Sequence, residues 1–149
     1  MKFLLYISVF ILLSGFIKQS VYVDPTGTYI LNNKTEYANS TKIGKIQVKK
    51  FSDKKIILNF YINMGSPAFN SGSFLDTLSY EKNKAEYKCP LEDTSCKVTL
   101  YFYKTGIKVI QETENKNSGC GFGHGVIASG FYKRFSTKIP IFEDPLKEK

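Results

Sequence analysis

The chain has 149 residues, which is enough for one domain with a substantial core and too few for two. Its hydrophobic content of 42% and charged content of 23% are ordinary for a globular protein and argue against a disordered chain. The formal net charge is +8, but Arg134 is the single arginine among 21 basic residues. Because phosphate recognition usually exploits the arginine guanidinium, we predict that the protein binds no nucleic acid.

The chain starts with a short apolar segment. Met1 and Lys2 precede the run FLLYISVFILLSGFI, fifteen residues without a charge. One lysine before such a run is typical of a secretory signal peptide, whereas a membrane-spanning helix needs about 20 apolar residues. We therefore predict a signal peptide over residues 1–20 and export to the periplasm or the medium, with no stable membrane span. An uncleaved anchor is the alternative.

Beyond residue 20, most apolar segments alternate with a period of two, which indicates strands with one buried and one solvent-exposed face. Short intervals separate the turn signals, and this spacing favours a barrel or a sandwich. We predict an all-β fold: a single antiparallel, lipocalin-like β-barrel of about eight strands over residues 21–141, with a sandwich as the alternative. A charged tail follows at 142–149. The predicted strands are 28–32, 43–51, 55–63, 73–80, 84–89, 96–104, 106–112, 119–128 and 130–137.

Glycine occupies every second position from Gly119 to Gly125. In an extended strand these glycines would share one face, and such a bare face suits a sharp bend or the close approach of another backbone or ring. The alternative is a bare surface onto which a ligand or partner packs. The spacing predicts a strand over 119–128 at a point where the barrel closes. Its other face, which points into the core or the barrel mouth, would carry Cys120, Phe122, His124 and Val126.

Three cysteines in an exported chain predict one disulfide and one remaining thiol. Cys96 can pair with Cys89 across the mouth of a hairpin, or with Cys120 across a curved sheet. The spacing leaves both pairings open.

No motif predicts catalysis or a metal site. Cys120 and His124 would lie about 13 Å apart on a strand, at ~3.3 Å per residue, too far for a nucleophile and its base. One histidine and scattered cysteines also lack the ligand spacing of a zinc site. We predict a protein that is not an enzyme and has no cofactor.

Three residues are candidates for binding. Phe69 lies between turn residues in the long segment 64–73, and an aromatic side chain at a loop tip suits contact with a protein partner. Phe122 and His124 would lie near the barrel mouth. We predict a monomer that binds another protein. The alternative is a carrier of a small hydrophobic ligand, since an eight-stranded barrel can hold one such molecule.

Three segments carry a resemblance to a known group: GTYIL at 27–31, SCKVTLYFYKTGIKV at 95–109 and CGFGHGVIASGFYK at 120–133. They resemble uncharacterised small exported β-proteins of the Bacteroidota. The expected architecture is similar to the lipocalin-like periplasmic lysozyme inhibitors, including the membrane-bound inhibitor of C-type lysozyme. The resemblance implies a Cys96–Cys120 disulfide with Cys89 as the remaining thiol. For the predicted protein-binding role, we expect either an inhibitor of a cell-wall hydrolase or an immunity protein against an exported toxin.

Overall fold

Eight antiparallel strands form a nearly closed barrel. The computed structural model describes residues 21–34, 41–89, 95–114 and 119–142. The strand order is β4-β3-β2-β1-β8-β7-β6-β5, so every consecutive pair is hydrogen-bonded except β4 and β5, and β1 pairs with β8. This arrangement confirms the predicted single barrel over the sandwich. The strands are β1 (Gly27–Lys34), β2 (Thr41–Ser52), β3 (Lys55–Asn63), β4 (Ser71–Ser79), β5 (Lys84–Lys88), β6 (Lys97–Tyr103), β7 (Gly106–Glu112) and β8 (Gly130–Ser136).

The period-two pattern of the sequence corresponds to the two faces of the barrel wall: the buried apolar residues of each strand point inward, and the residues between them point outward. In β3, Ile56 and Phe60 are completely buried while Lys55 and Tyr61 on the opposite face are exposed. Successive strand side chains point to opposite faces, so one apolar face per strand is enough to build a continuous core. The outer face remains in water.

Aromatic rings fill the interior. Phe60 lies at the centre, with its ring centroid 5.1 Å from Phe74, 5.8 Å from Phe122 and 5.9 Å from Tyr132. Near the other end of the barrel, the Phe102 ring lies 5.1 Å from Tyr80. Side chains of this size fill the interior of an eight-stranded barrel.

The gap between β4 and β5 is the one break in the ladder among the described strands. A tight turn joins the two strands, with reciprocal main-chain hydrogen bonds between Glu81 and Lys84. Farther from this turn, the rings of Phe74 in β4 and Tyr87 in β5 stack with centroids 3.8 Å apart. Side-chain stacking therefore joins the two strands where main-chain hydrogen bonds do not.

The predicted strand over 119–128 is wrong. A 3-10 turn covers Gly119–Gly121, and positive φ angles at Cys120, Gly121 and Gly125, each near 70°, break the extended conformation. The glycines therefore do not line one face of a strand. The other predicted strands are present with shifted ends; β4, for example, begins at Ser71 rather than at 73.

The two ends of the barrel differ in what covers them. At one end, here called the N-terminal end, residues 21–26 lie against the β4–β5 turn, the ends of β2 and β6, and β8. Three side chains hold this segment through its carbonyl oxygens. The Tyr80 hydroxyl donates to Val23 O at 2.6 Å, Asn83 Nδ2 donates to Val21 O at 2.7 Å, and Arg134 Nη2 donates to Asp24 O at 2.8 Å. The opposite end, called the disulfide end, carries the glycine-rich segment.

Two predicted segments fall outside the described residues: the signal peptide at 1–20 and all but the first residue of the tail at 142–149. Within the described ranges, no helix has the length and apolar character needed to cross a bilayer.

Buried tyrosines predict a loss of stability at alkaline pH. Burial raises the pKa of Tyr29 and Tyr87 to about 12, and raises that of Tyr80 and Tyr132 as well. The unfolded chain releases these protons near pH 10, so the stabilisation is complete below pH ~10 and is lost as the pH rises toward the folded-state values. We expect the free energy of unfolding to fall above pH ~10 by up to about 1.4 kcal/mol per pH unit for each such tyrosine.

Urea unfolding at a series of alkaline pH values, followed by tyrosinate absorbance, measures this slope. Tyr132→Phe should make the slope shallower. Equal slopes in the two proteins would contradict the role given to burial at Tyr132.

Candidate functional site

The loop between β3 and β4, residues 64–70 and here called the Phe69 loop, is held by hydrogen bonds at both of its ends. Phe69 N donates to Gly65 O at 2.8 Å, and Met64 N donates to Asn70 O at 2.9 Å. Asn63 supports both sides: its Oδ1 accepts from Gly65 N at 2.7 Å, and its Nδ2 donates to Phe69 O at 2.9 Å. The loop therefore has a defined shape.

This shape leaves the Phe69 ring in solvent. Phe69 has a φ of 52°, a left-handed conformation that a phenylalanine rarely adopts, and the residue is 63% exposed. A phenylalanine in this position has neither a favourable backbone conformation nor a buried side chain. Its place in the fold therefore calls for an explanation other than core packing.

A second loop, residues 119–129 and here called the glycine loop, spans the barrel gap. The Cys96–Cys120 disulfide, with Cα atoms 5.0 Å apart, attaches it beside the start of β6. Gly123 N donates to Ser71 O at 2.9 Å, which attaches it to β4. The half-buried Lys42 in β2 holds its far end, because the Lys42 Nζ donates to Ser129 O at 2.8 Å. Burial lowers the pKa of this lysine.

The candidate Phe122 lies beneath the rim. It is only 4% exposed, and its ring stacks on Phe60. Gly72 of β4 provides the space, because a Cβ there would lie 2.5 Å from Cδ1 of the Phe122 ring. Phe122 therefore fills the barrel at the unpaired gap, and a partner at the surface would not contact it.

The candidate His124 is exposed and lies next to the Phe69 loop. Asn70 Nδ2 donates to His124 O at 2.6 Å, so the two loops are joined by a hydrogen bond across 54 residues of sequence. Ile127, also exposed, follows in the glycine loop. These residues form the rim of the disulfide end: Phe69, Asn70, His124 and Ile127.

The cysteines take the pairing implied by the resemblance. Cys96 and Cys120 form the disulfide, so the alternative pairing of Cys89 with Cys96 is not the one observed. Cys89 lies close by, since a Cβ built on Gly121 would come 3.5 Å from its Sγ. The 13 Å spacing predicted for Cys120 and His124 does not apply, because their segment is not extended. Cys120 is nevertheless in a disulfide and so has no thiolate with which to attack a substrate.

The rim carries both apolar and hydrogen-bonding groups that could contact a protein partner. Phe69 and Ile127 provide apolar surface, while the Asn70 amide and the His124 imidazole provide hydrogen-bonding groups. At the start of β6, next to the disulfide, Lys97 forms a salt bridge of 2.5 Å with Glu112, and both side chains are partly in solvent. An exposed aromatic ring beside hydrogen-bonding groups suits contact with a protein surface.

The sequence indicated Phe69 and His124 as candidate site residues. It did not indicate Asn70, which joins their two loops, or Gly72, which leaves space for the Phe122 ring. Asn70 and Gly72 both lie in the turn-rich segment 64–73, where they looked like two turn residues among several. A glycine at an inward-facing strand position is a signal for close approach of a ring. It does not say which ring approaches, because Phe122 is 50 residues away in the sequence.

In comparisons with known proteins, no family model matches the chain, and no curated protein or solved structure matches it significantly. The resemblance to small exported β-proteins and to lysozyme inhibitors therefore stays a prediction.

Substitution of Gly72 tests the fit of Phe122. We expect Gly72→Ala to lower the free energy of unfolding by about 1–3 kcal/mol, because the added methyl group overlaps the ring in a filled interior. Ser73→Ala, on the exposed face of the same strand, should change it by less than about 0.5 kcal/mol. Urea unfolding measures the free energy of unfolding of both variants. Equal losses of stability in the two would contradict the close approach of Phe122 to Gly72.

Removal of the disulfide should loosen the glycine loop. Cys120→Ser is expected to cost about 2–4 kcal/mol in the free energy of unfolding, because the unfolded chain gains conformational freedom. Cys89→Ser keeps the disulfide and should cost less. Urea unfolding measures both values, and thiol alkylation before reduction should label Cys89 alone in the parent protein. Labelling of Cys96 or Cys120 at that stage would contradict the pairing.

Proposed function

We propose that this chain is an exported binding protein without enzymatic activity, and that the rim of the disulfide end contacts another protein. One observation carries the proposal: Phe69 is exposed on a loop whose backbone is held by hydrogen bonds on both sides. Aromatic anchors of this kind dominate the binding energy of many protein interfaces.

The conformation of Phe69 supports this role. A left-handed φ at a residue other than glycine costs on the order of 1–3 kcal/mol and persists where the surrounding structure enforces it. Here the enforcing bonds come from Asn63 and Gly65. A pre-ordered loop loses little entropy when it binds, so its aromatic side chain contributes more fully to affinity.

The packed interior favours this proposal over the carrier of a small hydrophobic ligand. The rings of Phe60, Phe74, Phe122 and Tyr132 occupy the space that an apolar ligand would need. A carrier would have to move these stacked rings apart. The rim requires no such change.

Export is part of the proposal. Two features support export: an intramolecular disulfide is the form of cysteine that persists in oxidising compartments, and one lysine before a short apolar run is typical of a signal peptide. In such a compartment, the partners that fit are a cell-wall hydrolase, which the protein would inhibit, or an exported toxin, to which it would confer immunity.

The test compares variants at two exposed apolar residues. Phe69→Ala changes the rim, and Leu75→Ala changes the outer face of β4. Each protein is titrated into a panel of purified cell-wall hydrolases while lytic activity and heat of binding are measured. We expect one hydrolase to be inhibited by the parent protein and by Leu75→Ala. We expect Phe69→Ala to bind it at least about 30-fold more weakly.

If no hydrolase is inhibited, native mass measurement of the protein from its producing cell identifies a bound polypeptide, and the same two variants test that complex. A bound small apolar molecule that survives purification would overturn the proposal in favour of a carrier. Equal weakening by Phe69→Ala and Leu75→Ala would exclude the rim as the contact.

A further inference from the structure

The N-terminal end collects exposed apolar side chains at the tips of the barrel. Phe51 precedes the β2–β3 turn, Tyr103 borders the β6–β7 turn, and Phe135 lies near the end of β8, where it is 78% exposed. Val21 and Tyr22 are exposed in the segment that crosses this end. Val21 and Tyr103 border one open pocket of about 380 Å³, whereas Phe51 and Phe135 lie outside it, on other strands.

Basic residues surround these apolar tips. Among the described residues of this end, eight basic side chains stand against four carboxylates. The basic residues are Lys50, Lys54, Lys55, Lys82, Lys84, Lys104, Arg134 and Lys138, and the acidic ones are Asp24, Asp53, Glu81 and Glu86. Asp53 already forms a salt bridge of 2.8 Å with Lys50. The disulfide end has no comparable excess of positive charge in the part of the chain that the structure describes.

An open groove of about 680 Å³ extends the basic surface along β8. The groove has no acidic residue in its lining, and Phe131 and Phe135 stand on either side of Lys133. Lys104 and Lys138 lie in the same lining, and no carboxylate of the described ranges is within salt-bridge distance of them. Their charges are therefore available to an anionic partner.

We propose that the N-terminal end of the barrel docks onto an anionic lipid surface. Lysines near a bilayer attract acidic headgroups as point charges, and apolar side chains between them enter the boundary with the acyl chains. Projecting tips on several turns fit a broad, deformable surface. An acidic peptide would instead need a defined set of hydrogen-bond partners.

A further observation favours lipid. The guanidinium of Arg134, the one group suited to bidentate recognition of a carboxylate, is already engaged by Asp24 O and lies 5.0 Å from the Tyr29 ring centroid.

Vesicle binding tests the proposal with charge-matched variants. Lys104→Gln/Lys138→Gln removes two charges from the N-terminal end, and Lys45→Gln/Lys88→Gln removes two from elsewhere on the barrel. The purified proteins, with one common N-terminus verified by mass, are sedimented with vesicles of equimolar phosphatidylcholine and phosphatidylglycerol. We expect the first pair to weaken binding on the order of 30-fold and the second to have a much smaller effect.

Apolar variants test insertion separately from charge. Phe135→Ser should weaken vesicle binding about 10-fold, whereas Ile127→Ser at the disulfide end should not. Binding should fall at high salt and be weak to phosphatidylcholine alone. Equal effects of the two lysine pairs would overturn the proposal. So would an acidic peptide or a soluble polyanion that binds as well as the vesicles and is insensitive to Phe135→Ser.

Docking by this end does not depend on the proposed partner at the rim. Phe69→Ala should leave vesicle binding unchanged, so a failure of either proposal is seen separately.

Discussion

The packing of Phe122 over the bare backbone of Gly72 is the contact on which the barrel closure depends. β4 and β5 lack a shared ladder, so the interior would be open to water along their gap. Phe122 enters beside Gly72 and stacks on Phe60, while Phe74 and Tyr87 stack across the strands. Aromatic stacking and apolar burial thus replace missing main-chain hydrogen bonds. The remaining core packs against this closed wall.

The loop that carries Phe122 also builds the outer surface of the same end. The Cys96–Cys120 disulfide attaches it near β6, and Gly123 N attaches it to β4. With both sides attached, its exposed carbonyl at His124 becomes a fixed acceptor for Asn70. The order of the rim is therefore a consequence of how the barrel is closed, and a partner would meet a preformed surface.

Among the residues that the structure describes, the two ends of the barrel differ in both charge and exposed apolar side chains. Hydrogen-bonded loops with one prominent aromatic ring occupy the disulfide end, whereas lysines and several apolar tips occupy the N-terminal end. The filled barrel keeps its two ends apart, so a partner bound at one end leaves the other end accessible. A protein held at a surface by its basic end would present the rim of Phe69 outward.

The sequence by itself determined the eight strands and the all-β fold class, because side-chain alternation is a local property that each strand carries in its own residues. Ile56 to Ile62 already show which face is buried. It also indicated Phe69, since turn residues around an aromatic side chain are a local signal.

Only the tertiary structure decided that residues 119–128 are a loop, that Cys96 pairs with Cys120, and that His124 lies beside Asn70. That aromatic rings fill the barrel was decided by the tertiary structure, since rings from separate strands meet there. Each of these depends on packing between segments far apart in the chain: left-handed angles at Cys120, Gly121 and Gly125 overrode the alternation of the glycines. The cluster of lysines at the N-terminal end could not be predicted from the sequence either, because the lysines belong to separate turns that only the closed barrel brings together.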